Sequence, residues 1–507
     1  MSSERRLLTG WGRTSPTAAH VVAPRSVEEI ARLLADPPPR GLIARGLGRS
    51  YGDAAQDAGG VVLDCTTLPA RLDIDADRGI VTASTGTSFD TLIRELLPRG
   101  WFVPVTPGTR YVTVGGAVAA DIHGKNHHVA GSFGCFLLGL TLVLPGGRVV
   151  QVSDLPNETG LSLRPAGSDP KTHLEGIHGY VEHARDEPLA GTGNSPLKDP
   201  DALHGSDIPA SELFWATVGG MGLTGVVVDA TFRCIPVETS RMWVQTRRAA
   251  NLDELLATMT ASDEAFPYSV AWIDLLARGS SLGRGVITHG RHAAVDELPA
   301  KMRRDPLRFD ARPRLTAPPW APSGLLNAVS VRAFNEWWYR KACFPGGRSH
   351  TAIQSIPAFF HPLDGVDGWN RLYGNRGFVQ YQFVVPFDAE DTLRSIVADL
   401  AAMRVPSFLA VLKRFGSRNP APLSFPQPGW TLALDIPVGD RRLPGLLRDF
   451  DTRVAEAGGR VYLAKDSRLS ADMMAAMYPE LDAWRAVRSR IDPHGVLRSD
   501  LARRLDL

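Results

Sequence analysis

Cysteine is scarce in this chain and widely scattered. The four thiols, Cys65, Cys135, Cys234 and Cys343, form no C-x-x-C pair. That spacing speaks against a zinc frame or a disulfide scaffold, and for free thiols in a reducing compartment. An excess of one charge is also lacking. Lys plus Arg number 56 against 54 Asp plus Glu, a net charge of +2, and the two signs are interspersed. A nucleic-acid partner would need a clustered basic surplus, so none is expected. No stretch approaches about 18 apolar residues, so no membrane-spanning helix is expected. The opening "MSSERRLLTGWGR" lacks the apolar core of a signal peptide. These absences lead to the expectation of a soluble, cytoplasmic protein. Its 507 residues, 44% hydrophobic, suffice for about two or three domains.

What is present first is alternation. Ser26 followed by Glu29 makes a capping box that opens "VEEIARLLA", and Val27, Ile30, Leu33 and Leu34 share one helical face. "DPPPRG" stops that helix. "LIAR", "GVVLD" and "GIVTAST" read as strands, and "FDTLIRELL" as a second helix. The pattern predicts an α+β or α/β fold. Residues 154–209 differ. They are polar and rich in Gly, Pro, Asp and His, and read as a long insertion with one helix opened by Thr172 and Glu175. From about 240 to 458 strands and amphipathic helices alternate again. "RRDPLRFDARPRLTAPPWAPSG", near 302–324, reads as an exposed flexible loop.

Glycine concentrates in four segments: "RGLGRSYGD" from Arg45, "PGTRYVTVGGAVAADIHGKNHH" from Pro107, "GSFGC" from Gly131 and "VGGMGLTG" from Val218. Glycines let backbone N–H groups approach phosphate oxygens, and consecutive N–H groups form an anion nest. Gly46, Gly48 and Gly52 are spaced G-x-G-x-x-x-G, one residue too long for the dinucleotide fingerprint, and no G-K-[ST] of a Walker loop follows. One such cluster is an ordinary set of turns. Four in one half of a chain fit a long ligand with a pyrophosphate.

"IARGLGRSYGD", "PVTPGTRYVTVGGAVAADIHGKNHH", "ELFWATVGGMGLTG", "FVQYQFV", "PLSFPQPGW" and "VYLAKDSR" together resemble the decaprenylphosphoryl-β-D-ribose 2'-oxidase family, which belongs to the vanillyl-alcohol-oxidase-type flavoproteins. The resemblance runs from "TGWGRT" to "SDLARRLDL" and omits only 154–209. It implies an α+β fold with a two-part FAD-binding domain, residues 1–236 and 459–507. A substrate domain on an antiparallel sheet, 237–458, is inserted between them. It implies that Arg45, Gly46, Leu47, Gly48, Arg49, Ser50 and Tyr51 lie at the FAD. The cradle would continue through Pro107, Gly108, Thr109, Thr113, Gly115, Gly116, Ala117, Asp121, Gly124 and Asn126, with Gly222 and Thr224 on another side. Many members of the wider superfamily carry a histidine in the first loop that bonds to the flavin. Here Tyr51 stands near that position, so non-covalent FAD is expected.

Oxidising a secondary alcohol needs a hydride acceptor, which the cofactor supplies, and a base for the hydroxyl proton. Lys465, after the strand-like "GGRVYLA", is by its residues either a surface lysine paired with Asp466 or a base. The resemblance selects the base. His123 in "DIHGKNHH" is a second candidate, as base or orienter. H-x-x-x-H-H there does not present its histidines on one helical face, so no metal site is expected, and His173, His178 and His183 are likewise spread around a helix. The resemblance places Lys125, Gln380, Gln382, Lys413, Trp272 and Phe360 at the substrate. Gln380 and Gln382, two apart on a strand, face the same way, which suits two amides reaching for sugar hydroxyls.

Three departures stand out. The family's W-N-x-C is here Trp430, Thr431, Leu432 and Ala433, so the thiol attacked by nitroaromatic inhibitors is missing. Phe360 replaces a tyrosine, and the 154–209 segment has no counterpart. The resemblance implies oxidation of decaprenylphosphoryl-β-D-ribose at C2', with a separate NAD(P)H-dependent reductase completing epimerisation. A lipid-linked substrate implies peripheral contact with the inner membrane face, with the 302–324 tract on the membrane side. Two alternatives stand beside it: a flavoenzyme acting on a soluble sugar or aminoglycoside-like alcohol, and a flavin-binding partner protein without catalysis.

Overall fold

Four strands within the first 64 positions pair into one sheet. Ser3–Leu8 runs antiparallel to Thr17–Val22, which lies parallel to Val61–Asp64, and that strand is parallel to Leu42–Arg45. The computed structural model describes residues 3–154, 208–313, 315–318, 321–322, 324–343, 347 and 349–507. Nearly all of the predicted insertion, with its Thr172–Glu175 helix, lies outside the described residues. The first helix forms as its pattern predicts, over Val27–Ala35. Ser26 Oγ accepts the Glu29 N–H at 3.3 Å, and Ile30 and Leu34 are buried.

A second sheet of five antiparallel strands follows, in the order Leu72–Asp75, Ile80–Ser84, Val226–Arg233, Leu137–Val143, Val149–Val152. The helix Phe89–Leu96 is capped by Ser88 and buries Phe89, Leu92, Ile93 and Leu96. Val226–Arg233 sits at the centre of the sheet; Val226, Val227 and Val228 are all buried, and from Val228 on every second residue is, the period expected of a strand with one face on the core.

The third sheet has eight strands, all paired antiparallel. Its order is Ser349–Ser355, Arg241–Ala249, Gly285–His292, Tyr268–Ile273, Ala410–Phe415, Gly429–Pro437, Phe378–Val385, Arg460–Val461. The architecture is therefore α+β, with a large antiparallel sheet in the C-terminal part. The chain's last fifty residues touch two sheets. Arg460–Val461 pairs with Phe378–Val385, and Leu42 donates to Val496 O while Arg498 donates to Leu42 O, both at 2.9 Å.

The 302–324 tract is not the free loop its composition suggests. Pro306 O and Arg308 O accept from Ser240, Arg110 and Arg94 donate to Ala311 O, and Leu315–Thr316 pairs in parallel with Val366–Asp367. Its carbonyls meet donors from residues 94, 110 and 240, which composition alone does not reveal. Among the described residues no helix is long and apolar enough to cross a membrane.

Candidate active site

The eight-stranded sheet turns one face to a cavity of about 670 Å³. Its register builds part of the wall. Gln382 stands opposite Ala433, Ala433 opposite Val411, Val411 opposite Trp272 and Trp272 opposite Val286, and all five line the cavity. Because side chains alternate along a strand, the neighbours two residues away face the same side. Gln380, Leu409, Lys413, Val270 and Thr288 accordingly line it too.

Three lysines meet this cavity on separate elements. Lys125 follows the turn at His123, Lys413 lies on Ala410–Phe415, and Lys465 follows Arg460–Val461. Burial pushes Lys125 down to about 7. Burial pushes Lys413 to about 7 as well, helped by the charges of Lys465 and Lys125. Burial lowers Lys465, and the Asp435 carboxylate opposes it. An ammonium loses hydration in such a wall, and like charges disfavour one another. Each amine is thereby brought toward a neutral form that can take a proton. Lys125 Nζ is tethered to Phe359 O and lies 4.2 Å from the Phe359 ring centre.

The glutamines are held from behind. The Gln380 amide donates to Asp435, its partner across the strand pair, and Tyr373 OH donates to the same carboxylate at 3.4 Å. Burial raises Asp435 well above the usual carboxylate range. The Gln382 amide donates to His123 Nε2 at 3.0 Å and to Thr431 Oγ1 at 3.2 Å. His123 is packed among Phe415, Phe425 and Tyr462. Burial, with the charge of Lys413, holds its imidazole well below the usual range. It is neutral and accepts through Nε2.

The other end of the cavity is walled by backbone. Arg45, Gly46, Leu47, Gly48, Arg49, Ser50 and Tyr51 line it, as do Pro107, Gly108, Thr109, Thr113, Gly115, Gly116, Gly124 and Gly222. Among the described residues, the N–H groups of residues 46–50 donate to no protein group. These are donors waiting for an acceptor, the arrangement a pyrophosphate requires. The loop is braced elsewhere. Arg45 donates to Thr9 O and Ala55 O, both at 2.8 Å, Trp11 N–H reaches Ser50 O at 2.8 Å, and the Arg49 guanidinium lies 3.9 Å from the Trp11 ring centre. A Cβ at Gly46 would stand 2.1 Å from Thr113 Oγ1, so only glycine lets the two loops meet. The loops from 45 and 107 and the turn at Gly222 fit FAD.

Four sequence-predicted residues are not in the wall. Ala117 is buried in the core beneath it. Asp121 accepts from Ser132, Gly134, Asn419 and Ser424, a structural knot with no carboxylate oxygen to spare. Asn126 donates to Pro104 O at 2.8 Å, and Thr224 shares a hydrogen bond with Thr217 at 2.9 Å. Each serves the backbone that carries the wall. Trp272 and Phe360 do line the cavity, although Phe360 is packed tightly against Phe102 and Tyr268. Residues that the sequence reading missed include Trp11, Thr85, Ile122 and Tyr462 in the wall and Asp435 behind it. Tyr462 stood inside the quoted "VYLAKDSR". Asp435 carried no local signal.

Comparison with known proteins agrees with this geometry. Residues 18–153 match the FAD binding domain family, and residues 441–505 match the D-arabinono-1,4-lactone oxidase family. The chain is 42% identical to decaprenylphosphoryl-beta-D-ribose oxidase of Mycolicibacterium smegmatis, over 99% of this chain and 97% of that one. It is 38% identical to an uncharacterised protein of Streptomyces coelicolor, over 81% of this chain and 98% of that one. A shorter stretch, 33% of this chain and 40% of the other, is 30% identical to L-gulono-1,4-lactone dehydrogenase of Mycobacterium tuberculosis. A cradle of unpaired amides, a neighbouring wall of lysines and glutamines, and identity along almost the whole length lead to one conclusion: the chain belongs to the decaprenylphosphoryl-β-D-ribose oxidase family of FAD-dependent oxidoreductases.

Proposed function

We propose that this chain oxidises the C2' hydroxyl of decaprenylphosphoryl-β-D-ribose to the ketone, with FAD held non-covalently. The observation that carries the reading is that one cavity joins the FAD cradle to the wall of Lys465, Lys413, Lys125, Gln380 and Gln382. Bound FAD supplies the acceptor for the hydride leaving the carbinol carbon. The hydroxyl proton passes to the neutral amine of Lys465, freed by its lowered basicity. Gln380, held by Asp435, and Gln382, held by His123, orient the sugar hydroxyls. His123 acts as an orienter rather than as a base, since its Nε2 is engaged. Lys125 and Lys413, brought toward neutrality by burial, regain the ammonium form where a substrate phosphate brings negative charge, and so pair with it. The domain division at 236 and 458 belongs to this reading, as do peripheral contact with a membrane and a separate NAD(P)H-dependent reductase that consumes the ketone.

One observation favours a second reading, a soluble sugar or aminoglycoside-like alcohol as substrate. Phe360 and Ala433 give the wall neither phenol nor thiol. Anaerobic mixing of the holoenzyme with the polyprenyl-phosphate ribose, beside a panel of soluble sugars, separates the two. Bleaching of the flavin by the lipid-linked ribose supports the first reading. Bleaching by soluble sugars alone overturns it.

A further inference from the structure

The helix Ala328–Lys341 borders the cavity, where its Trp338 and Lys341, with Ala342 just after it, join the lining. Its inward side is anchored. Val331 and Asn335 are buried, Asn335 Nδ2 donates to Asp274 at 2.7 Å, and Tyr339 OH reaches Ala249 O at 3.3 Å. Its outward side is apolar where a soluble surface would be polar. Val329 is 80% exposed, Trp337 52% and Trp338 39%, and the adjoining Leu325, whose carbonyl accepts from Ser330, is 46% exposed. Val329, Ala333 and Trp337 recur every fourth residue, so they form one stripe along the helix. Phe334, Trp337 and Trp338 lie with ring centres about 6 Å apart.

Cations border this stripe. Arg332, Arg340 and Lys341 are exposed, and Lys341 Nζ stands 4.6 Å from the Trp337 ring centre. The helix's one carboxylate, Glu336, is engaged by Arg284 and Arg340, each at 2.6 Å. A stripe of apolar side chains that includes Trp337, a cationic border and Trp338 beside it at the cavity match the boundary between lipid headgroups and acyl chains. Tryptophan places its ring there, and lysine extends its ammonium toward phosphate while its stem lies along apolar surface.

We propose that the outward face of Ala328–Lys341 is a docking surface for an anionic lipid bilayer, and that it sets the outer mouth of the cavity against the membrane. The proposal deepens the lipid-linked reading given above and rests on it for its purpose. A polyprenyl tail is too apolar to cross water, so a mouth at the bilayer lets the sugar enter while the tail stays in lipid. Charge complementarity with phosphate headgroups favours a bilayer over a second copy of the chain, which would bring the same cations together. The surface differs from the 302–324 tract, which the fold pins down.

The test uses the full-length holoenzyme and sedimentation with vesicles of phosphatidylglycerol and phosphatidylethanolamine, beside vesicles of phosphatidylcholine alone. The wild type is expected to pellet with the anionic vesicles. Trp337→Glu, on a side chain outside the cavity lining, is expected to partition about tenfold more weakly. Trp337→Phe is expected to keep most of the binding, and all three proteins to keep the same FAD content and melting temperature. Equal pelleting of Trp337→Glu and wild type overturns the proposal, as does a wild type that pellets with neither vesicle. Equal pelleting with phosphatidylcholine overturns it as an anionic-lipid surface. A wild-type dimer that Trp337→Glu turns into a monomer assigns the face to a second copy instead. Flavin bleaching by the lipid-linked ribose in detergent is measured separately. Its failure sinks the substrate reading and leaves the vesicle result standing, and the converse also holds.

Discussion

Lys465 Nζ lies 4.0 Å from the centre of the Tyr51 ring. The two residues are joined again through the backbone, where Tyr51 N–H donates to Ala464 O at 2.9 Å. A residue of the first glycine loop thus positions an amine from the far end of the chain, on the wall shared by cofactor and substrate. Lys465→Ala is expected to bind FAD in full and to lose about a hundred- to ten-thousandfold in the rate of anaerobic flavin reduction. The wild-type rate is expected to rise with pH, because an ammonium has no lone pair for the hydroxyl proton. Burial lowers Lys465, so the midpoint lies below the ordinary lysine value of about 10.4. Stopped-flow absorbance across pH checks both statements. An unchanged rate in Lys465→Ala rules the base out.

Asp435 pulls the other way. Its charge favours the ammonium of Lys465 and so raises the pKa that burial lowers. Asp435→Asn removes the charge but can still accept from Gln380. The midpoint of the pH–rate profile is expected to move down, so the variant gains rate relative to wild type on the acidic side. A merely structural role for Asp435 would lower the rate at every pH without moving the midpoint.

Asp435 has no signature in the sequence around it. The glycine loops were legible because the backbone they require excludes other residues locally. Gln380 and Gln382 were legible as a pair because strand periodicity is local too. The partnership of Gln380 with Asp435 exists only through register between strands 55 positions apart in the chain. Asp121 misled for the opposite reason. It sits in a cofactor-like motif, but its carboxylate is spent on Ser132, Gly134, Asn419 and Ser424, which no local pattern foretells. The tract near 302–324 likewise looked loose because its tethers are donors from residues 94, 110 and 240.

The phenol at Tyr51 bears on how the cofactor is kept. The residue is buried, and burial raises its pKa well above the usual phenol range, so it presents no phenolate. With no histidine in that loop, FAD is expected to leave the protein on acid precipitation. The measurement is flavin absorbance in the supernatant and in the washed pellet. Yellow colour that stays with the polypeptide through denaturing filtration contradicts non-covalent binding.

Ala433 stands between Gln382 and Val411 in the row that crosses the sheet. Nitroaromatic inhibitors that form an adduct with the thiol at this position in related enzymes are expected to leave this chain unmodified. Cys65 also lines the cavity, but burial pushes its thiol up to about 12, leaving almost no thiolate to react. Ala433→Cys is expected to gain the adduct. Intact-mass spectrometry after turnover with inhibitor decides it, and an adduct on the wild type counts against the assignment.

Gly52 shows how closely the two ends of the chain are fitted. A Cβ there would stand 1.9 Å from Asp466 O, a backbone atom that cannot rotate away. Asp466 is itself fixed. Its carboxylate accepts from Arg468 N–H and Leu469 N–H, both at 2.9 Å, and pairs at 2.7 Å with Arg504, which also grips Asp53. Neither side can yield without breaking buried hydrogen bonds, so the strain of an added methyl has nowhere to go. Gly52→Ala is expected to destabilise the protein by about 1–3 kcal/mol, read as a lower melting temperature of the holoenzyme. Because the shift would separate Tyr51 from Ala464, FAD affinity and the rate of flavin reduction are expected to fall with it. A Gly52→Ala protein that melts and reduces like wild type would mean that the junction is looser than this contact requires.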